Sequence, residues 1–325
     1  MTLLSTAIGG FGRVLAATRH GPRLSILIFH RVLARSDPLL PGEPDAALFE
    51  ARMRLVKSAF RVIPLADAVR RLRERTLPVN AACITFDDGY ADNATTAALI
   101  LAKLRLTATF FIATGFLDGG RMWNDTVIEA IRAAPGPRLD LAAIGLGDWA
   151  CASDDERVAT IAALLGDLKY RPQTERAAKV AELAAIAGLP RQSALMMTRA
   201  QVRSLIEAGM SVGAHTMTHP ILTTLSEADA RREIVGGKEA LEDIIGAPVR
   251  LFAYPNGKPR QDYDATHVRL VREVGFDAAV STGWGVADAE CDPFQLPRFT
   301  PWDTGIARFG MRLAHNLTRR CADTV

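Results

Sequence analysis

The stretch ITFDDGYADN, residues 84–93, is where the fold and the chemistry of this chain meet. An apolar run, AACITF (81–86), leads into it and reads as a buried strand. The run stops at two adjacent carboxylates and a glycine. Neighbouring side chains on a strand point to opposite faces, so Asp87 and Asp88 can share a site only where the strand ends and the backbone is released, which Gly89 permits. Two carboxylates so close repel each other unless a cation lies between or beside them. On this stretch alone, a pair of loop aspartates capping the next helix remains an equal reading.

Apolar, β-branched runs of the same kind recur as SILIFH (25–30), TATFFIAT (107–114), MSVGAH (210–215), VRLFAYP (249–255) and FDAAVST (276–282). Helical patterns separate most of them. Ala91–Leu106 is rich in alanine and leucine, and Arg199–Ala208 closes on Gly209. Glu227–Ile245 starts behind Ser226 as N-cap and stops at Gly246, while Asp262–Val274 ends on Gly275. Strands apolar on both faces that alternate with helices imply a parallel sheet covered by helices. At least six such strands favour a (β/α) barrel over a doubly wound sheet. Residues 119–197 break the alternation and read as a mostly helical insertion, a feature that on this architecture rides on the active-site face. The expected organisation is an N-terminal helical segment (1–24), an α/β barrel (25–305) carrying that insertion, and a C-terminal helix (306–325).

Composition narrows the function. The chain has 325 residues, 49% of them hydrophobic and 23% charged, as soluble globular proteins do. A net charge of +3, with scattered basic residues, argues against a nucleic-acid partner. No apolar run is long enough to span a bilayer. Residues 1–23 have no positive charge ahead of their apolar part, and Arg13 falls inside it, which reads against a cleaved signal peptide. Because Arg13, Arg19 and Arg23 stand there without an acid, weak peripheral contact with a membrane surface stays open beside a plain helix packed on the domain. Cys83, Cys151, Cys291 and Cys321 are far apart, which fits a reducing, cytoplasmic setting and neither a disulfide framework nor a structural zinc site. The oligomeric state has no signature.

Two further stretches carry chemistry. In SVGAHTMTHP (211–220), Pro220 disfavours helix at His219, so His215 and His219 read as a turn leaving a strand with both imidazoles folded back to one point. Two histidines and a carboxylate make a three-ligand set for a catalytic metal. In VRLFAYPNGKP (249–259), Arg250 opens a strand that Pro255–Asn256–Gly257 closes with a tight turn. A buried arginine needs an anion, and the Asp pair is the natural partner; a surface arginine without a role is the alternative.

TFDDG at 85–89, HTMTH at 215–219 and RLFAYPNG at 250–257 resemble, in order and context, the first three motifs of the NodB-type polysaccharide deacetylases. The resemblance covers roughly residues 80–300, interrupted by the insertion. It implies a metal-dependent N-deacetylase, acting on amino sugars of a polysaccharide or glycan precursor, on a distorted (β/α) barrel. It also implies that Asp87 is the general base and that Asp88, His215 and His219 are the metal ligands. Arg250 would hold Asp87 ionised, and the backbone N–H of Tyr254 would help stabilise the oxyanion. Zinc is the first expectation for the metal, with cobalt, manganese, iron or nickel suiting the same donors.

The leaving amine needs a proton. Most of the family supplies it from a histidine in a late Leu-x-His motif, and Leu313 and His315 stand in that register here, but inside a helical, arginine-rich pattern. His267 is likewise in a helix and His20 precedes the first strand. His30 ends a parallel-type strand, the barrel edge where catalytic side chains gather. That placement resembles circularly permuted, exopolysaccharide-associated members whose acid histidine precedes TFDDG. Three further residues are expected at the sugar: Arg298, in the barrel-closing QLPRFTPWD (295–303), and two stacking tryptophans, Trp123 and Trp284. Two other functions fit the same motifs: a deformylase of a lipid-linked amino sugar, and a carbohydrate-binding protein without catalysis.

Overall fold

The computed structural model describes residues 2–17, 21–301, 303, 305–320 and 324–325. Arg19, His20, Trp302 and Cys321 lie outside these. Among the described residues the strands are β1 (Leu24–Phe29), β2 (Arg61–Val62), β3 (Ala81–Phe86), β4 (Thr109–Ile112), β5 (Arg138–Leu141), β6 (Gly147–Ala150), β7 (Ser211–Ala214), β8 (Leu251–Ala253) and β9 (Ala278–Val280). The helices are α1 (Thr2–Ala16), α2 (Ala46–Ala59), α3 (Leu65–Arg73), α4 (Ala98–Lys103), α5 (Trp123–Ala133), α6 (Asp154–Lys169) and α7 (Gln173–Ile186). They continue as α8 (Arg199–Glu207), α9 (Glu227–Ile245), α10 (Ala265–Glu273) and α11 (Ile306–Asn316).

Seven strands form one parallel sheet, in the order β1-β3-β4-β7-β8-β9 with the short β2 added beside β3. The sheet curls into a distorted barrel. Its two edges are stitched by an irregular segment: Leu296 bridges to Val280 of β9, and Phe299 bridges to Leu27 of β1. Every residue of β1 and β3 is buried, which is why both read as apolar runs interrupted only by Ser25 and Thr85. Outward-facing Phe29 and Phe86 meet Phe49 of α2. Ile26, Cys83, Phe111 and Val280 form a second cluster with Leu65 and Val69 of α3.

Local signals explain most element ends. Ser226 accepts a hydrogen bond from the Asp229 amide at the start of α9, and Gly246 ends that helix at φ +67°. The expected helix over 91–106 is shorter: a single π-helical turn, Asn93–Ala97, precedes α4. The insertion is not purely helical, because β5 and β6 pair as an antiparallel hairpin across a turn with Gly145 at φ +68°. With α5, α6 and α7 that hairpin encloses its own apolar core around Val127, Leu141, Leu164 and Leu183. α1 packs against α2 and α11, and Ile8 on it is buried. No helix among the described residues is long and apolar enough to cross a membrane.

Candidate active site

Parallel pairing brings the functional residues together before any side chain is considered. Phe29 of β1 is in register with Phe86 of β3, so the next residues, His30 and Asp87, leave the sheet side by side; the Asp87 amide donates to Phe29 O at 2.9 Å. Ala214 ends β7 beside Ile112, and His215 follows it. His30, Asp87, Asp88, His215 and His219 line one cavity of about 350 Å³ at this edge.

The chain turns sharply to do this. Asp88 sits at φ +76° and Gly89 at φ +92°, so the backbone is released one residue earlier than the glycine alone would release it. Thr216 (φ +64°) and His219 (φ +53°) fold the second motif back on itself, and the two imidazole centroids lie 4.7 Å apart. Glu233 of α9 accepts from the amides of Met217 and Thr218 and holds that loop.

The donor set suits a divalent cation. His215 Nδ1 lies 2.7 Å from Ala253 O, which leaves Nε2 as the free lone pair. His215 Nε2 and His219 Nε2 stand 3.5 and 3.4 Å from Asp88 Oδ1, and that buried oxygen receives no hydrogen bond from any described residue. Two imidazoles and one carboxylate within 4.8 Å of one another make the three-donor arrangement typical of a site that keeps a position open. Burial opposes ionisation of Asp88, but the two imidazoles beside it outweigh that and hold its carboxyl well below the usual range. Burial pulls His219 down to about 4, so its imidazole is neutral, as a ligand must be.

Asp87 is clamped by Arg298. The fully buried guanidinium donates to both carboxylate oxygens at 2.7 Å, and also reaches Ser281 O at 2.8 Å and Thr85 Oγ1 at 3.3 Å. Burial alone would raise the Asp87 carboxyl; the Arg298 charge, with His215 beside it, brings it below its ordinary value.

Four expected placements are therefore corrected. Arg250 is exposed where β8 begins, at the opposite end of the strand from the site, and makes no ion pair with Asp87; Arg298 does. Arg298 in turn does not line the cavity, because its guanidinium is consumed by Asp87. The Tyr254 N–H continues the β8–β9 ladder to Val280 O at 3.2 Å, and its ring stacks on Tyr263 at 3.9 Å, away from the cavity. Asn256, two residues on at φ +59°, lines the cavity instead, and its N–H finds no acceptor among the described residues. Trp284 stacks on Phe299 with the Arg312 and Arg319 guanidiniums over it, also outside the cavity. Trp123 does line it, at the start of α5.

The cavity holds residues that no motif announced. Glu43, from the loop before α2, faces it beside His30; burial raises its carboxyl while the neighbouring His30 and Arg31 act against that rise. Arg31 bonds Asp92 at 2.8 Å and lies over the Tyr90 ring. Tyr90 donates to Asp125 of α5 at 3.0 Å, and burial pushes the Asp125 carboxyl up to about 7. Asp92 and Tyr90 sit inside the opening stretch and could have been suspected; Glu43 lies in a loop without a signature. Of the other histidines, His267 caps α10 and His315 is exposed on α11.

The family model for polysaccharide deacetylase matches residues 74–136 and 174–279, just over half of the chain. Among solved structures, IcaB from Ammonifex degensii superposes with a TM-score of 0.58 at 18% identity, over 90% of this chain and 98% of that one. The Streptococcus pyogenes deacetylase PplD, in complex with acetate, gives 0.57 at 19% identity over 86% and 92%. A de-N-acetylase from Aggregatibacter actinomycetemcomitans gives 0.56 at 15% over 88% and 99%. At these identities the likeness establishes the fold. No curated protein matches the chain in sequence. On the family match, the chain belongs to the polysaccharide deacetylases, hydrolases that cleave the N-acetyl amide bonds of carbohydrates.

Proposed function

We propose that the chain is a divalent-metal-dependent N-deacetylase of amino sugars, zinc being the first candidate metal, working in exopolysaccharide or cell-surface glycan synthesis. The observation that carries this reading is the convergence of Asp88, His215 and His219 beside an Asp87 whose two oxygens are both held by Arg298. A cation bound by Asp88, His215 and His219 would supply Lewis acidity to the acetamide carbonyl and to a water.

The chain's own residues do the rest. Asp87, kept ionised by Arg298, takes the proton of the attacking water as general base. The amide of Asn256 is the backbone donor for the oxygen on which charge develops. His30, which leaves β1 beside Asp87 and lines the same cavity, protonates the leaving nitrogen, with Glu43 next to it. Trp123 gives the sugar an apolar wall.

The test is acetate release from a panel of N-acetylhexosamine oligomers, with and without chelator, formate being assayed in parallel. Acetate release that chelator abolishes supports the reading. Protein that releases no acetate under any metal loading overturns it.

A further inference from the structure

A second hollow lies against the catalytic cavity. It encloses about 640 Å³, and Trp123 belongs to the walls of both. Thr218, one residue from His219, also lines it. Along one side runs α7, whose Ala177, Ala181 and Ala184 follow helical spacing and leave a shallow apolar floor.

Around that floor stand Arg121, Arg176 and Arg191, and no carboxylate lines the hollow among the described residues. Arg176 is only 8% exposed. It donates to Lys169 O at 2.8 Å and lies over the Trp123 ring at 4.9 Å, contacts that leave its charge uncompensated. Burial lowers its affinity for its proton, with no neighbouring carboxylate to offset the effect. Among the described residues Arg121 bonds only a hydroxyl, Thr126 Oγ1, and a carbonyl, Pro190 O. Arg176 is buried and costly to desolvate unless an anion joins it, and the half-buried Arg121 and exposed Arg191 add charge of the same sign around the hollow. A neutral sugar suits this lining less well. Its hydroxyls donate as well as accept, whereas the hollow offers no carboxylate acceptor and Arg176 covers one face of Trp123.

We propose that this hollow binds an anionic amphiphilic part of the substrate: a phosphate-like group attached to the reacting amino sugar, held by Arg121, Arg176 and Arg191, followed by an alkyl segment along the alanine floor of α7. The proposal rests on the deacetylase reading above only for its connection to turnover, because binding to the hollow is measurable alone.

Calorimetry on the full chain would compare decyl phosphate, inorganic phosphate and decyl glucoside. Decyl phosphate is expected to bind at least about tenfold more tightly than either half-ligand. Arg191→Gln and Ala184→Leu, which remove charge and floor separately, are each expected to cost about fivefold or more. Equal binding of the three probes, or binding indifferent to both substitutions, overturns the proposal. In turnover, kcat/KM for N-acetylglucosamine 1-(decyl phosphate) should exceed that for N-acetylglucosamine by about tenfold or more, a ratio that falls towards one in the Arg121→Gln/Arg191→Gln double variant. If N-acetylglucosamine 1-phosphate already shows the whole gain, the alkyl half of the proposal is wrong. If decyl phosphate binds as expected and no probe loses its acetyl group, the deacetylase reading fails and the binding site stands.

Discussion

Arg298 and Asp87 are 211 residues apart in the chain and joined by two hydrogen bonds of 2.7 Å. A planar guanidinium matched to both oxygens of one carboxylate fixes that carboxylate's rotation as well as its charge. Asp87 must be ionised to act as base, so activity is lost as pH falls through its depressed pKa. Arg298→Gln should lower kcat/KM by at least about a hundredfold. It should also move the acid limb of the pH–rate profile upwards, since the carboxyl loses the charge that offsets its burial. Arg250→Ala should keep the wild-type profile; if the two variants behave alike, the assignment of the clamp is wrong.

His30 faces the same cavity from the neighbouring strand end. His30→Ala should reduce kcat by about a hundredfold or more and remove the alkaline limb of the profile, because a general acid must be protonated to act. His315, exposed on α11, should be replaceable by alanine without effect. Loss of activity in His315→Ala with retention in His30→Ala would refute the choice of acid.

The purified chain should carry about one divalent ion, the stoichiometry of a three-ligand site. Asp88→Asn, His215→Ala and His219→Ala should each bring that content towards zero, read by elemental analysis rather than by turnover. Arg298→Gln should retain the ion, which separates the clamp from the ligands.

Asp125 titrates near 7 because it is buried. A carboxyl whose pKa is raised on folding binds more protons in the native than in the unfolded state between about pH 4 and 7. Its contribution to stability is therefore present below pH 4 and lost as pH rises to 7. Asp125→Asn keeps an oxygen for the Tyr90 hydroxyl and removes the titration. The variant should gain stability relative to wild type by on the order of 1–3 kcal/mol between pH 5 and 8, measured by urea unfolding. A pH-independent difference would contradict this.

Gly237 of α9 touches the metal-motif loop: a Cβ there would lie 2.7 Å from the Thr216 carbonyl group. Helix propensity alone favours Gly237→Ala, but the close approach should win, destabilising the protein by about 1–3 kcal/mol. Metal affinity should fall with it, because the displaced loop carries both histidines. An increase in melting temperature would show that the loop yields freely.

Much of this was legible in the order of residues, for a local reason. A strand buried on both faces is a largely apolar run, and a side chain that enters the cavity at its end stands immediately after that run. Phe86–Asp87 and Phe29–His30 both have this form. Capping and left-handed glycines placed α9 to the residue. The spacing of His215, His219 and Pro220 announced a returning turn, which Thr216 and His219 make with positive φ.

Tertiary structure alone decided which long or flexible group reaches a given point. Arg250 and Arg298 both precede apolar residues of barrel segments, and nothing near them in sequence separates them. Arg298 is chosen because the segment from Leu296 to Phe299 closes the sheet between β9 and β1, which aims its side chain into the barrel at Asp87. The same limit applies to the backbone amides beyond β8, where the end of the β8–β9 ladder sets which N–H is left over. That ladder still claims Tyr254 and releases Asn256. Glu43 and the second hollow depend on how a loop and an inserted helical unit pack over the barrel mouth, contacts between residues far apart that no local pattern encodes.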